Sequence, residues 1–459
     1  MKVNHMTANQ AVKSKNRDVL EVLKFTLPII FSNVFQNLFT AIDQVIVSSH
    51  SGDHVLAAIG ATANLSSMFM QLLIGVSIGA SAVIARRIGG GNKEEVRNSI
   101  HTAVGLGAVG GLAICMLGIV FGRPILMLMK TPDSLLEDAA GYLSVLCIGF
   151  LPQTIYNFGA AVLRAMGDTK RPLYFLAVAG VVKTVLTFLI VVLLEAPVAY
   201  VALSTVASFT ISSILTLMSL ARQHGEYHLR LRDVRLHRRE TKDILMNGVP
   251  IGVMNSFMSL SNIVLQSAVN SFGELAVAGN TGASHINNVL YNIVSGFSHT
   301  STIYCSKHYG AGDSKGFKRS LALCLFWMAV CGLLFGSIFF VLRRELVGLF
   351  VESSEAVEYG VAWLNMICFT YIISGAQEIY RGALSALNRS IFPMINQTIG
   401  YLGFRVLWVY TYFASHRSMG VLYFSYPIAW TLTLTLNVIS FAICFRRLLG
   451  KKKEAVVLP

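Results

Sequence analysis

Long apolar stretches alternate with short polar segments from residue 25 to residue 445. Each stretch has roughly 20 residues or more, the length that an α-helix needs to cross the hydrocarbon core of a bilayer. The pattern therefore predicts an all-α integral membrane protein with twelve transmembrane helices. They cover approximately residues 25–48, 56–84, 100–122, 139–162, 173–194, 198–220, 247–270, 277–304, 320–342, 357–384, 393–413 and 419–445.

The second half of the chain repeats the first at a nearly constant offset. At 222 residues the matching pairs include Pro28/Pro250, Asn33/Asn255 and Gln44/Gln266, and at 221 they include Gly89/Gly310, Ala165/Ala386 and Pro172/Pro393. Six predicted helices fall in each copy. Because six is even, both copies enter the membrane from the same side, which predicts two pseudo-symmetric six-helix bundles. Transporters are commonly built from two such repeats with the substrate site between them.

The positive charge of the chain is concentrated on one side of the predicted membrane. The net charge is +14, and 29 of the 37 Lys and Arg lie in the tails and loops of the side that holds both termini. This bias predicts cytoplasmic termini in a plasma membrane, and it argues against a nucleic-acid partner. The predicted domains are a tail at 1–24, an N-lobe at 25–221, a linker at 222–246, a C-lobe at 247–446 and a tail at 447–459.

Composition narrows the function classes further. Hydrophobic residues make up 54% of the 459 and charged residues 13%, about half the ~25% typical of soluble domains. The seven cysteines form no CxxC motif, so we expect no metal site and no cofactor. The paired histidines His50 and His54 lie in a short outer loop rather than in a catalytic cluster, and we expect no catalytic residues and no enzyme activity. An ion channel would more naturally show symmetry around a pore.

Three segments carry a resemblance to a known family. They are the proline-entered span Leu27 to Val47 with Asp43 near its outer end, the turn from Gly89 to Arg97, and LRAMGDTKRP from Leu163 to Pro172. These segments resemble the multidrug and toxic compound extrusion (MATE) family of the MOP flippase superfamily, over residues 20–447. The resemblance implies an antiporter that exports amphipathic, often cationic compounds in exchange for protons or sodium ions. A lipid or lipid-linked oligosaccharide flippase of the same superfamily is the alternative.

The N-lobe holds the first group of candidate coupling residues. Ionisable groups inside a span are costly and are candidates for function, and Asp43 matches the family's N-lobe coupling aspartate. Many members carry Asn and Asp in the fifth span, where this chain has Lys183 and Thr187. We hypothesise that Lys183 is a tethered counter-ion for Asp43; the alternative is a snorkelling lysine in a wet cavity. The other positions that match family polar sites are Gln36, Asn157 and Thr205.

The C-lobe holds the second group. Glu378 and Arg405 lie at similar depths, and we expect Glu378 to pair with Arg405 or with Arg381, for coupling or for helix packing. The family's sodium-dependent branch has carboxylates at positions that match Met258 and Ser374 here. Protons are therefore the expected coupling ion rather than sodium.

Polarizable and aromatic side chains suit flat cationic ligands. We predict a substrate cavity for a small amphipathic molecule, and we expect the transporter to be a monomer in the lipid bilayer. The predicted cavity residues are Met68, Phe257, Met258, Gln266, Tyr291 and Tyr371.

Overall fold

The structure, a computed structural model, describes residues 8–50, 52–129, 131–194 and 197–457, which contain helices and no strand. The helices of the first half are α1 (Ala8–His50), α2 (Gly52–Gly90), α3 (Lys93–Leu128), α4 (Asp133–Ala165), α5 (Lys170–Phe188) and α6 (Val198–Ala221). Those of the second half are α7 (Arg238–Asn270), α8 (Glu274–Gly310), α9 (Ser314–Val341), α10 (Arg343–Gly348), α11 (Ser354–Ile367), α12 (Tyr371–Ala386), α13 (Ile391–Gln397), α14 (Arg405–Trp408) and α15 (Met419–Val457). Short 3₁₀ turns lie at Gly225–Tyr227 and Leu231–Asp233, between α6 and α7.

Most of the predicted spans are single helices. Within the described ranges, nine helices are long and apolar enough to cross a membrane: α1 to α7, α9 and α15. A tenth span is broken, because α11 and α12 meet at an angle of 53°. The hydroxyl of Thr370 donates to the carbonyls of Met366 and Ile367 at the break, and such back-bonding bends helices. With α8 and the run from α13 to residue 413, twelve crossings are reached.

Wide helical turns, of the π type, occur in the fifth span of each half. Residues Leu189–Leu193 follow α5 as a π-helix, and Thr398–Phe404 and Val409–Phe413 flank α14 in the same way. Such turns are rare and are frequent at functional sites. They therefore direct attention to the fifth span of each half.

Each lobe packs around its own apolar core. In the N-lobe, α3 lies against α4 at Gly111, and the Thr154 hydroxyl donates to the Gly107 carbonyl over 2.8 Å. Small residues allow such close approach of spanning helices. The fully buried side chains of the N-lobe core include Ile84, Ile100, Phe158 and Leu163, and those of the C-lobe core include Phe297, Leu364, Ile379 and Leu384.

The lobes meet where α2 crosses α7, through glycines on both helices. A methyl group added to Gly75 would lie 2.2 Å from the backbone nitrogen of Gly252, and one added to Gly248 would lie 2.5 Å from Val76 Cα. Farther along, a methyl group on Gly89 would lie 1.9 Å from the carbonyl oxygen of Lys307 on α8. The lobes are thus in backbone contact, with no side chain between them at these points.

An ion-pair network reinforces this contact. We call the end of the bundle that holds the turns at 91–92, 166–169, 311–313 and 387–390 the basic end. There Arg87 on α2 lies 2.5 Å from Glu95 on α3 and 2.8 Å from Asp243 on α7. Arg239 on α7 lies 2.9 Å from Glu95. The network joins α2 and α3 of the N-lobe to the first turns of α7, which continues into the C-lobe, so the lobes are held together at the basic end.

Candidate functional site

The N-lobe contains a cavity of about 300 Å³ between α1, α2, α4, α5 and α6. Its wall combines hydroxyl, amide and aromatic side chains with one cation. The predicted residues Gln36, Lys183 and Thr205 line it together with Ser66, Gln153, Tyr142 and Phe150. Gln153 and Tyr142 were not predicted, because α4 carries them without any charge that marks a site in the sequence.

Asp43 and Lys183 form an ion pair beside this cavity. Lys183 Nζ lies 2.5 Å from Asp43 Oδ2, and the two side chains are 16% and 13% exposed. The pair forms because α1 and α5 approach closely one turn earlier, where Gly180 lies against the ring of Phe39. Asp43 Oδ1 makes no hydrogen bond within the described residues. The carboxylate is therefore held by one cation and keeps acceptor capacity for another.

Two predicted N-lobe residues lie away from the cavity wall. Thr187 is fully buried and donates to Ser204 Oγ over 2.9 Å, while Ser204 donates to the Val201 carbonyl over 2.8 Å. This chain ties α5 to α6, so Thr187 sits in the helix packing. Asn157 is half-buried on α4 and is not among the residues that line either cavity described here.

Glu378 lies in a closed polar network in the C-lobe. Its Oε2 is 2.5 Å from Arg381 Nη2, and its Oε1 accepts from Gln397 Nε2 over 2.7 Å and from Gln377 Nε2 over 3.1 Å. Arg381 also donates to Ser298 Oγ over 2.9 Å. Of the two expected partners of Glu378, the structure places Arg381 beside it and not Arg405. Because Glu378 and Arg381 share one helix at a spacing of three, they meet on one face.

The C-lobe has its own cavity, of about 320 Å³. Four of the six predicted substrate-cavity residues line it: Met258, Gln266, Tyr291 and Tyr371. Met68 is 59% exposed and Phe257 is half-buried, and neither lines this cavity or the one in the N-lobe. Helix geometry explains the position of Phe257, because its neighbour Met258 faces the cavity and successive side chains of a helix point about 100° apart.

Arg405 lines the C-lobe cavity at the first turn of α14, directly after a π-helical segment. Its guanidinium lies 4.6 Å from the ring centroid of Tyr401 and 4.4 Å from that of Tyr426. Only 1% of the residue is exposed, and it forms no ion pair or hydrogen bond with the described part of the chain. Cation–π contacts of this kind contribute up to about 2 kcal/mol when desolvated. The aromatic cage could not be foreseen, because Tyr426 lies on a different helix.

The sequence model of the MatE family matches twice, over residues 28–189 and 250–411. The chain belongs to this family, the MATE transporters. The two matches are separated by 222 residues at both their first and their last positions, in agreement with the internal duplication. The protein is therefore a multi-pass membrane transporter of the MATE family.

Individual relatives are distant but match over most of their length. The probable multidrug resistance protein YoeA of Bacillus subtilis is 24% identical over 90% of this chain and 91% of its own. The FAD transporter of Shewanella oneidensis is 22% identical over 76% of this chain and 78% of its own. At these identities the relatives support membership of the family, but they do not identify the substrate of this chain.

Solved structures agree on the architecture. One described as the outward-facing conformation of a multidrug resistance MATE family transporter of the MOP superfamily superposes with a TM-score of 0.85, at 21% identity, over 94% of this chain and 96% of the other. A mutant of the Vibrio cholerae MATE transporter VcmN gives a TM-score of 0.88, at 16% identity, over 95% and 98%. These similarities confirm the predicted fold of twelve transmembrane helices in two six-helix bundles.

Proposed function

We propose that this MATE transporter is a secondary active antiporter that exports amphipathic, cationic organic compounds in exchange for protons. In this proposal the lobes rock against each other and the glycine crossing of α2 and α7 separates, so that the cavities face alternate sides of the membrane. No covalent chemistry and no cofactor is part of the cycle. The names of relatives such as YoeA of Bacillus subtilis support the substrate class.

The observation that carries this proposal is the pair of Asp43 and Lys183 beside the N-lobe cavity. A carboxylate with little solvent contact must be neutralised by a cation or a proton. Lys183 fills that role when the site is empty. A proton or a substrate cation that reaches Asp43 releases Lys183 toward the cavity that it lines. Proton and substrate then compete for one carboxylate, which couples the entry of one to the exit of the other.

The C-lobe supports protons over sodium as the coupling ion. Sodium ions are bound by oxygen ligands and favour carboxylates, as other hard cations do. Among the described residues that line the C-lobe cavity there is no Asp or Glu, and Met258 and Ser374 stand at the positions expected for a sodium site. Glu378 is already engaged by Arg381 and two glutamines.

The distribution of Lys and Arg supports a membrane orientation in which the basic end faces the cytoplasm, with both termini on that side of the plasma membrane. The ion-pair network at the basic end then closes the cytoplasmic side. We propose that the functional unit is a monomer, since each chain contains both lobes.

Ethidium efflux tests the proposal. The chain is reconstituted in liposomes, and ethidium movement is followed under a pH gradient and, separately, under a sodium gradient. We expect transport with the pH gradient alone, loss of transport in Asp43→Asn, and an altered pH dependence in Lys183→Met. Lys170→Met is the matched control, because Lys170 lies exposed at the start of the same helix. Transport driven only by sodium, or an unchanged Asp43→Asn, would disprove the coupling mechanism.

A lipid or lipid-linked oligosaccharide flippase is the second candidate, and Arg405 is the observation that favours it. A flippase of anionic lipids needs basic residues in its cavity, and Arg405 lines the C-lobe cavity without a carboxylate beside it. The same liposomes separate the two functions. Flipping of a fluorescent anionic lipid without ethidium transport would replace the efflux proposal by this one.

A further inference from the structure

The wall of the C-lobe cavity carries a single charge. Of the 20 described residues that line it, Arg405 is the only one that is ionised at neutral pH, and none is Asp or Glu. The other two cations within the spans predicted from the sequence are neutralised, Lys183 by Asp43 and Arg381 by Glu378. Arg405 thus contributes an uncompensated positive charge to the cavity.

The internal duplication explains the missing carboxylate. At the offset of 222 shared by both ends of the family matches, Lys183 corresponds to Arg405 and Asp43 corresponds to Leu265. Leu265 is 3% exposed and also lines the C-lobe cavity. The C-lobe therefore keeps the cation of the pair and replaces its acid by a hydrocarbon side chain. A buried guanidinium without a carboxylate is costly unless a ligand supplies the negative charge.

The rest of the wall indicates which anion fits. Trp363, Tyr371 and Trp430 present aromatic surfaces, and Tyr401 and Tyr426 hold the guanidinium between them. Flat rings stack on such surfaces. Amide side chains that can donate hydrogen bonds to oxygen also line the cavity, among them Asn262, Asn287 and Asn288. The guanidinium itself offers the planar donor pair that matches a carboxylate.

We propose that the C-lobe cavity is a binding site for a planar aromatic organic anion, whose carboxylate pairs with Arg405. This site is distinct from the cation site at Asp43, and its preference for an anion does not depend on which ion drives transport. The two lobes then differ in their charged groups: Asp43 and Lys183 form an ion pair at the N-lobe cavity, whereas Arg405 lines the C-lobe cavity without a carboxylate.

Binding of naphthoate and of its uncharged analogue naphthamide tests the proposal. The two molecules share ring and shape and differ in charge. Isothermal titration calorimetry is performed on the full chain in phosphatidylcholine nanodiscs. Since a charge-assisted hydrogen bond is worth about a tenfold change in affinity or more, we expect naphthoate to bind at least about tenfold more tightly than naphthamide. Equal affinities would overturn the proposal without any variant being made.

Variants test whether the preference for naphthoate over naphthamide arises in the C-lobe cavity. Arg405→Gln and Leu265→Asp should both abolish it, the first by removing the cation and the second by restoring the acid that the N-lobe has. Leu265→Asn, which adds a polar group of the same size without charge, and Arg417→Gln, which removes an exposed positive charge, should retain it. A preference for naphthoate that survives both Arg405→Gln and Leu265→Asp would overturn the assignment to this cavity.

A lipid headgroup is the other source of a negative charge at this depth. The titration is repeated in nanodiscs that contain phosphatidylglycerol, where an aromatic-anion site should keep its affinity for naphthoate. A loss of naphthoate binding in these nanodiscs to the level of Arg405→Gln would assign the cavity to the lipid and overturn our proposal. Naphthoate binding is not expected to change in Asp43→Asn, which abolishes ethidium transport in the proposed function, so failure of either proposal can be recognised separately.

Discussion

The crossing of α2 and α7 makes a sharp prediction for Gly75→Ala. The new methyl carbon would lie 2.2 Å from the backbone nitrogen of Gly252, about 1.3 Å short of a normal contact near 3.5 Å. Since the obstructing atom is backbone, no side chain can rotate away. The helices must separate by roughly that distance, or the lobes must leave this arrangement.

The size of the effect follows from the cost of overpacking. Forcing an extra carbon into a close-packed contact costs about 1–3 kcal/mol. If the alternate arrangement of the lobes lacks this contact, its population relative to the present one rises between about fivefold and 150-fold. Gly60→Ala in the same helix is the control, because a methyl group there would meet no atom within 4 Å. Both variants gain the same helix propensity, about 1 kcal/mol.

Distances between spin labels measure the population. Labels are attached to cysteines introduced at Lys170 and Arg389, which lie exposed on opposite lobes at the basic end. The half-buried native cysteines Cys115 and Cys331 are replaced by serine. We expect one short distance in the parent and in Gly60→Ala, and a longer second distance in Gly75→Ala. Identical distance distributions in all three proteins would refute a backbone contact between the lobes.

Three further predictions concern stability and are measured by thermal unfolding of the purified protein. Glu378→Ala leaves Arg381 buried without a carboxylate and should lower stability by about 3–5 kcal/mol; a Tm equal to that of the parent would contradict the network. Thr187→Val removes the hydrogen bond to Ser204 and should cost about 1 kcal/mol, with no effect on the pH dependence of transport. Asp313 caps α9 by accepting from the N–H groups of Gly316 and Lys315. The pKa of Asp313 is lowered below its usual value, mainly by the hydrogen bond from the Gly316 N–H and also by the nearby His308. The stabilisation by Asp313 is therefore fully present above the pKa of the unfolded chain, near pH 4, and is lost as the pH falls through the pKa of the folded protein. Asp313→Ala should be less stable than the parent at pH 7, and this difference in stability should shrink at lower pH.

The spans and their duplication could be read from the sequence because both depend on local patterns. Apolar length predicts a membrane helix directly, and the repeat places equivalent helices in equivalent positions. The break between α11 and α12 was missed, since residues 357–384 form one apolar stretch. A bend that depends on how the Thr370 hydroxyl bonds to Met366 and Ile367 leaves no trace in hydropathy.

The candidate site was predictable only in part, for a related reason. Charged residues inside spans are conspicuous, so Asp43, Lys183, Glu378 and Arg405 could be identified as candidates from the sequence. Their partners depend on contacts between helices that are far apart in the chain. The contact of Gly180 with Phe39 that brings Lys183 to Asp43 is such a feature.

The π-helical segment Thr398–Phe404 has a consequence for how the two lobes diverged. Between Pro393, which matches Pro172 at an offset of 221, and residue 411, which matches residue 189 at 222, the C-lobe contains one residue more than the N-lobe. In an ordinary helix an inserted residue would rotate everything after it by about 100°. A π-turn holds one additional residue, so the helix that follows keeps its facing. Arg405 thereby lies on the inward face that Lys183 occupies in the other copy. One additional residue leaves this facing intact, although the position opposite is Asp43 in one copy and Leu265 in the other.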